Sequence, residues 1–416
     1  MERILKAVTT KTARTTAIYY VTSFVLNILR YTFHLVLMKF LAPSAYGEFL
    51  SYLSLQYLLG IPMGTIGTVV TKAVSDFHGK KDVYSTNAFF HYIIRLTLPM
   101  TVIIGAALLL LAGPLATLFK ASPSAFVVLG ISIVVSLFST VTNSYIFAYQ
   151  KFIFQTILGF IGLILSLALV VLFIRLGFGA TGAVTAQLLS GILVVFISII
   201  KIRPSIFPAV SKIKHFSLDI KSLIGYSFFY TVGTLSLVSV DILTVRLLFS
   251  PTDSGLYSAL SILGRMILFG LTPIIGLVLP IASHRKAIGG TANSVFIKLG
   301  TVLVFFGAIG ASLFSFAPTF FLKVLSGPTY ISAAPYLSFF SFSMFFFALS
   351  QFIVSFLLAI GRPKATLLLI AASVLQPIAF ALVGVSLAHV VMVNFFLHLA
   401  LFVFLCIMYL RVSRAD

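Results

Sequence analysis

The chain contains no tryptophan, a single cysteine and only eight acidic residues, against 28 lysines and arginines. Cys406 alone can form neither an internal disulfide nor a cysteine-pair metal site, so it reads as a small packing or lipid-facing residue. Without tryptophan, any interfacial aromatic belt must be built from the 16 tyrosines and 43 phenylalanines. Charge is scarce as well. Asp, Glu, Lys and Arg make up 9% of the residues, where soluble domains carry about a quarter. With 60% hydrophobic residues and a mean hydropathy of +1.16, the sequence is that of a polytopic membrane protein.

Catalytic signatures are missing too. No His and Cys cluster has metal spacing, no Gly-x-Ser-x-Gly elbow occurs, and no Walker loop offers a phosphate cradle. Glu48 and Asp241 are the only acidic residues in or at the edge of the apolar runs, so paired-carboxylate chemistry has nothing to use. An enzyme, a cofactor, a metal site and ATP-driven transport by this chain alone are therefore not expected.

The apolar runs read as twelve helices, near 16–41, 46–70, 88–119, 123–148, 153–176, 179–200, 223–249, 255–283, 296–323, 330–359, 364–386 and 389–410. The first is too long for a signal-peptide core and is read as a retained span. The formal charge of +20 could suggest nucleic acid, but its placement is topological. Twenty basic residues fall at the termini and on alternate connections. They include Arg3, Lys72, Lys151, Lys201, Lys212, Arg285, Arg362 and Arg411. The opposite connections hold Lys39, Lys120, Arg175 and Lys323. The positive-inside rule then puts both termini and the basic linker 201–222 in the cytoplasm and leaves no nucleic-acid partner to expect. The expected domains are 1–200 and 223–416, one six-helix bundle on each side of that linker.

The two halves repeat each other. Pro43-Ser44-Ala45-Tyr46-Gly47-Glu48-Phe49 returns 208 positions later as Pro251-Thr252-Asp253-Ser254-Gly255-Leu256-Tyr257, both reading Pro-x-x-x-Gly-x-aromatic. At an offset of 211, Ser132, Ser139, Ser144, Ala148 and Lys151 fall on Ser343, Ser350, Ser355, Ala359 and Arg362. Six spans per half give both copies the same orientation, an arrangement that usually encloses a central cavity.

Polar residues that lipid would reject mark the candidate site. Tyr20, Ser23, Asn27, Arg30, Tyr31 and His34 lie within about 100° of arc on the first span. Span seven repeats the stripe with Ser227, Tyr230, Thr234, Asp241 and Thr244, and span eight adds Ser258, Ser261, Arg265 and Thr272. Arg30, Asp241 and Arg265 each cost roughly 2.5 kcal/mol or more inside an apolar span, so lipid exposure is not expected. Two readings stand. In one, Arg30 and Asp241 form an ion pair that docks the two halves. In the other, Arg30 and Arg265 hold a phosphorylated head group, which the guanidinium fork suits, with Asp241 as a modulating or coupling group. His34 is either a structural histidine or a group titrating near neutral pH. Arg246, near the end of span seven, is expected to snorkel to the interface. Gly60-Ile61-Pro62-Met63-Gly64 is read as close packing or as a bending point.

Certain short motifs carry a family resemblance. Met38-Lys39-Phe40-Leu41 followed by Pro43 to Phe49 resembles the Leu-x-Pro-x-x-Tyr-Gly-x-aromatic signature of bacterial polysaccharide-transport proteins. Gly179-Ala180-Thr181-Gly182-Ala183 and Ala359-Ile360-Gly361-Arg362-Pro363-Lys364 are similar to that family as well. These are the O-antigen and polysaccharide flippases of the multidrug/oligosaccharidyl-lipid/polysaccharide exporter superfamily. The resemblance implies a V-shaped pair of six-helix bundles in the bacterial inner membrane, the MATE-like transporter fold. It also implies movement of an undecaprenyl-diphosphate-type, polyprenyl-linked oligosaccharide between leaflets, with membrane lipid, a glycan polymerase and a chain-length regulator as candidate partners. Against that background the cavity residues for substrate are Arg30, Arg265, Asn27, Tyr31, Tyr230 and Thr234, and those for coupling or a cavity ion pair are Asp241 and His34. Two other classes stay open. Asp76-Phe77-His78-Gly79-Lys80-Lys81 resembles the major-facilitator loop, so an ion-coupled drug or metabolite antiporter is one, and a non-transporting scaffold for glycan assembly is the other.

Overall fold

The computed structural model describes residues 22, 25, 26, 28–207, 225–287 and 293–413. Among these residues the chain forms helices and turns with no strand. We number the helices α1 (28–40), α2 (Pro43–Leu59), α3 (Ile61–Gly79), α4 (Val83–Leu110), α5 (Ala112–Leu118), α6 (Pro123–Ala148), α7 (Phe152–Arg175) and α8 (Gly179–Ile206) in the first half. The second half holds α9 (Tyr226–Leu237), α10 (Val240–Leu248), α11 (Pro251–Ala287), α12 (Asn293–Phe316), α13 (Pro318–Phe321), α14 (Ala334–Ala359), α15 (Thr366–Val383) and α16 (Leu387–Ser413). Among the described residues ten helical stretches are long and apolar enough to cross a membrane, or eleven if Pro43–Leu59 and Ile61–Gly79 make one bent span. Of the first expected span, 16–41, residues 16–21, 23, 24 and 27 lie outside the described residues. The protein is thus an all-α, multi-pass membrane protein.

Local sequence sets the helix ends. Pro62 and Pro123 sit in the first turns of α3 and α6, where the missing N–H is not needed. Asp82 caps α4 by accepting from the Ser85 N–H at 2.8 Å. At the start of α11 the Asp253 N–H donates to Ser250 Oγ at 3.1 Å, and Ser250 Oγ donates to Asp253 Oδ2 at 2.7 Å, a reciprocal cap. Span seven, expected as one run, is broken at Val238–Ser239 between α9 and α10. Span two is broken at Gly60, where Pro43–Leu59 and Ile61–Gly79 meet at a bend of 46°.

The helices fall into two compact units, Met1–Phe40 with Leu59–Leu223 and Leu41–Leu58 with Ile224–Asp416. In the first unit small residues let helices approach closely, as lipid-facing bundles require. A Cβ on Gly105 of α4 would stand 2.8 Å from the Gly130 carbonyl oxygen of α6. The Tyr145 hydroxyl donates to the Thr86 carbonyl at 2.8 Å, over a core that includes Val70, Phe89, Leu137, Val141 and Ile202. In the second unit α14 is enclosed, with Leu337, Phe340, Phe347, Ala348 and Leu357 all buried.

Residues 41–58, which the sequence places in the first half, group with the second unit. The repeated motif explains why: Gly47 and Gly255 abut. A Cβ on Gly47 would stand 2.7 Å from the Gly255 nitrogen, and one on Gly255 would meet the Pro43 carbonyl. The two copies of Pro-x-x-x-Gly are therefore each other's packing partners, which only glycine permits at that spacing.

The repeat is also written in the backbone. Gln150 and Gly361, 211 positions apart, both adopt the left-handed region at a helix end, with φ +56° and +81°. The hydrogen bonds correspond as well: Lys151 N–H donates to the Ile146 carbonyl, and Arg362 N–H to the Leu357 carbonyl. Gly361 occupies that region without strain, whereas Gln150 carries a Cβ there. Gln150→Gly is therefore expected to stabilise the protein by about 1 kcal/mol, read as a higher unfolding temperature in detergent. An unchanged or lower temperature would refute that account.

Candidate functional site

The break before α10 places Asp241 in the first turn of that helix, completely buried. There the helix dipole favours an anion, and Asp241 Oδ1 accepts from the Ile242 N–H at 2.8 Å. Arg265 Nη2, from α11, donates to Oδ1 at 3.0 Å and to Oδ2 at 3.1 Å. The Tyr257 hydroxyl, two turns earlier on the same helix, donates to Oδ2 at 3.0 Å. Arg265 is 3% exposed, so the pair is closed to bulk solvent.

Further helices extend the network. Asn394 of α16 donates from Nδ2 to the Tyr257 hydroxyl at 3.4 Å, and Gln376 Nε2 of α15 donates to Asn394 Oδ1 at 2.9 Å. The same Nε2 is 3.4 Å from the Leu237 carbonyl at the end of α9, satisfying a group that the helix break exposes. One turn beyond Asn394, His398 shares a 2.8 Å hydrogen bond between its Nδ1 and the Ser343 hydroxyl and stacks on Phe347 with centroids 4.8 Å apart. The result is a polar core inside the second unit, with members on six helices.

The ion pair found at Asp241 joins it to Arg265, a pairing not read from the sequence. The pairing follows from local structure, because α10 and α11 are consecutive helices and pack against each other. Arg30 lies in the first unit on α1 and is exposed. Tyr31 and His34 follow it, half-buried, with ring centroids 6.5 Å apart. Asn27 lies outside the described residues, as do Tyr20 and Ser23. On α9 Tyr230 and Thr234 are half-buried one turn apart, and Ser355 Oγ donates to the Tyr230 hydroxyl at 3.4 Å. Arg246 does not snorkel. It is 1% exposed and donates from Nη1 to the Ser44 carbonyl at 3.2 Å, with Glu48 in electrostatic reach. Glu48 in turn accepts from the Tyr52 hydroxyl at 2.7 Å. Tyr257, Gln376, Asn394, His398 and Ser343 were not singled out from sequence as members of this site.

The arrangement of helices has known counterparts. The chain superimposes on the inward-facing conformation of a multidrug resistance MATE family transporter of the MOP superfamily with a TM-score of 0.77 at 13% identity, covering 93% of this chain and 95% of that one. The lipid II flippase MurJ, in an inward closed conformation, matches with a TM-score of 0.74 at 16% identity, covering 94% of this chain and 87% of that one. The fold is that of MATE and MurJ. An outward-facing conformation of a MATE family transporter also matches, with a TM-score of 0.61 at 13% identity over 95% of both chains. No protein-family model and no curated protein matches the sequence. The MATE-like architecture rests on this shared helical fold, and Asp241 and Arg265 lie in the second unit.

Proposed function

We propose that the protein is a flippase, moving a polyprenyl-diphosphate-linked oligosaccharide from the cytoplasmic to the outer leaflet of the bacterial inner membrane by alternating access. The observation that carries this reading is the fold shared with the lipid II flippase MurJ across nearly the whole chain. The residues support it. The Pro43-to-Phe49 motif resembles that of polysaccharide transporters, and the charges inside the spans are mostly guanidinium groups, which suit a diphosphate. Of the first unit, Arg30 and Tyr31 are assigned to the head group; of the second, Tyr230 and Thr234 are assigned to sugar hydroxyls and the Asp241–Arg265 pair to coupling. The placement of basic residues supports cytoplasmic termini, and a glycan polymerase and a chain-length regulator would receive the product on the opposite side. No chemical bond changes in this process, so the protein is not an enzyme.

A second reading, an ion-coupled drug or metabolite antiporter, is favoured by the likeness to a multidrug MATE transporter. The two separate in cells carrying radiolabelled polyprenyl-linked glycan, with a membrane-impermeant reagent applied to spheroplasts. The flippase reading expects glycan inaccessible from outside when the gene is deleted and accessible when it is restored. Equal accessibility in both strains, with no redundant flippase present, overturns it and puts the antiporter first.

A further inference from the structure

A line of serines in the second unit lacks the partners that buried hydroxyls find elsewhere in the protein. Ser51 and Ser350 donate one turn back, to the Gly47 and Phe346 carbonyls at 2.8 and 2.9 Å, as hydroxyls in apolar helices usually do. Ser254, Ser258 and Ser261 of α11 are 1%, 0% and 0% exposed, and their Oγ atoms have no hydrogen-bond partner. Together with Arg265 they fall within about 60° of arc over about 16 Å of helix. The line begins beside the exposed Ser250 cap and ends on the Asp241–Arg265 pair.

Other elements add unpartnered polar atoms around it. These are Ser239 Oγ at the helix break, Ser341 Oγ on α14, Gln376 Oε1 on α15 and His398 Nε2 on α16, all in buried residues. They belong to one neighbourhood. Gln376 reaches Tyr257 through Asn394, His398 is in electrostatic reach of Arg265, and Ser341 follows Phe340, whose ring packs on Tyr257 and against Gly264. Dry polar atoms in an apolar interior are costly, and a water with several polar partners relieves them. The titratable and charged groups around the pair are Tyr257 of α11 and His398 of α16, while α14 and α15 bring the neutral Ser343 and Gln376.

We infer that these atoms line a narrow file of water running from the Pro251 end of α11 to the Asp241–Arg265 pair. The file goes beyond the transport reading and does not depend on it.

The test needs no transport. In a Cys406→Ala background reconstituted in nanodiscs, Ser258→Cys and Ser261→Cys are compared with Ala259→Cys and Leu263→Cys, which are equally buried on the other side of α11. The probe is silver ion, which travels through narrow water paths, and the thiols left free are counted by mass spectrometry after denaturation. The serine-site thiols are expected to be blocked at least tenfold faster than the controls; equal rates overturn the file. Adding Ser258→Val is expected to slow blocking of Ser261→Cys tenfold, and an unchanged rate overturns the direction of access. The unmodified chain gives a check that requires no substitution. In X-ray footprinting, where radicals form from bound water, Tyr257 is expected to be labelled faster than the equally buried Tyr330, and parity counts against the file. A leaflet assay that fails while silver reaches Ser261→Cys removes the flippase reading alone.

Discussion

Arg265→Met is expected to destabilise the protein by about 3–5 kcal/mol, read as a large fall in unfolding temperature and in the yield of monodisperse protein. Methionine keeps much of the aliphatic stem, so the packing loss is small. What remains is a carboxylate at zero exposure, held by the Tyr257 hydroxyl and the Ile242 N–H without its counter-charge. Asp241→Asn strands the guanidinium in the same place and is expected to cost a similar amount. The double variant, Asp241→Asn with Arg265→Met, carries neither charge and is expected to recover more than half of either loss, since replacing a buried pair by neutral groups is often close to neutral. Losses that simply add would mean that the two side chains do not act as a pair. The double variant also separates docking from coupling. A stable chain that still transports makes the pair a structural tie, whereas a stable chain that does not makes it part of the transport cycle.

The spans were legible because a bilayer demands long apolar runs, and composition reports those directly. The charges that matter were legible for the same reason, as Asp241 and Arg265 are groups that lipid rejects. Their pairing was not, because it depends on how two consecutive helices, α10 and α11, are rotated against each other. The break at Gly60 could be seen in Gly60-Ile61-Pro62, but the break at Val238–Ser239 has neither glycine nor proline to announce it. It is held instead by tertiary bonds such as that from Gln376 to the Leu237 carbonyl. Gln376, Asn394 and His398 escaped notice because isolated polar residues in the last two spans form no long stripe. The one available signal was that Asn394 and His398 stand four apart, on one helical face. Arg246 was misplaced because nearness to a helix end suggests snorkelling. The segment from Pro43 to Gly47 lies over that end and covers it.

Arg30→Gln is expected to leave the unfolding temperature and the amount of protein in the membrane unchanged while reducing transfer of the lipid-linked glycan to the outer leaflet by at least tenfold. The first half of that expectation follows from exposure. Arg30 is not enclosed by the protein as Arg265 is, so removing its charge leaves no buried ion behind. The second half follows from chemistry: a diphosphate crossing an apolar interior needs a fixed positive charge, and the guanidinium fork can engage two of its oxygens at once. Arg30→Lys keeps the charge and loses the fork, so it is expected to fall between the wild type and the glutamine variant. Arg175→Gln, which alters an exposed arginine at the end of α7, serves as the control and is expected to transport normally. Full transport by Arg30→Gln would remove the anion-binding assignment and shift attention to the half-buried hydroxyls of Tyr230 and Thr234. Loss of transport together with loss of folded protein would instead make Arg30 a structural residue, and the contrast with Arg265 would fall.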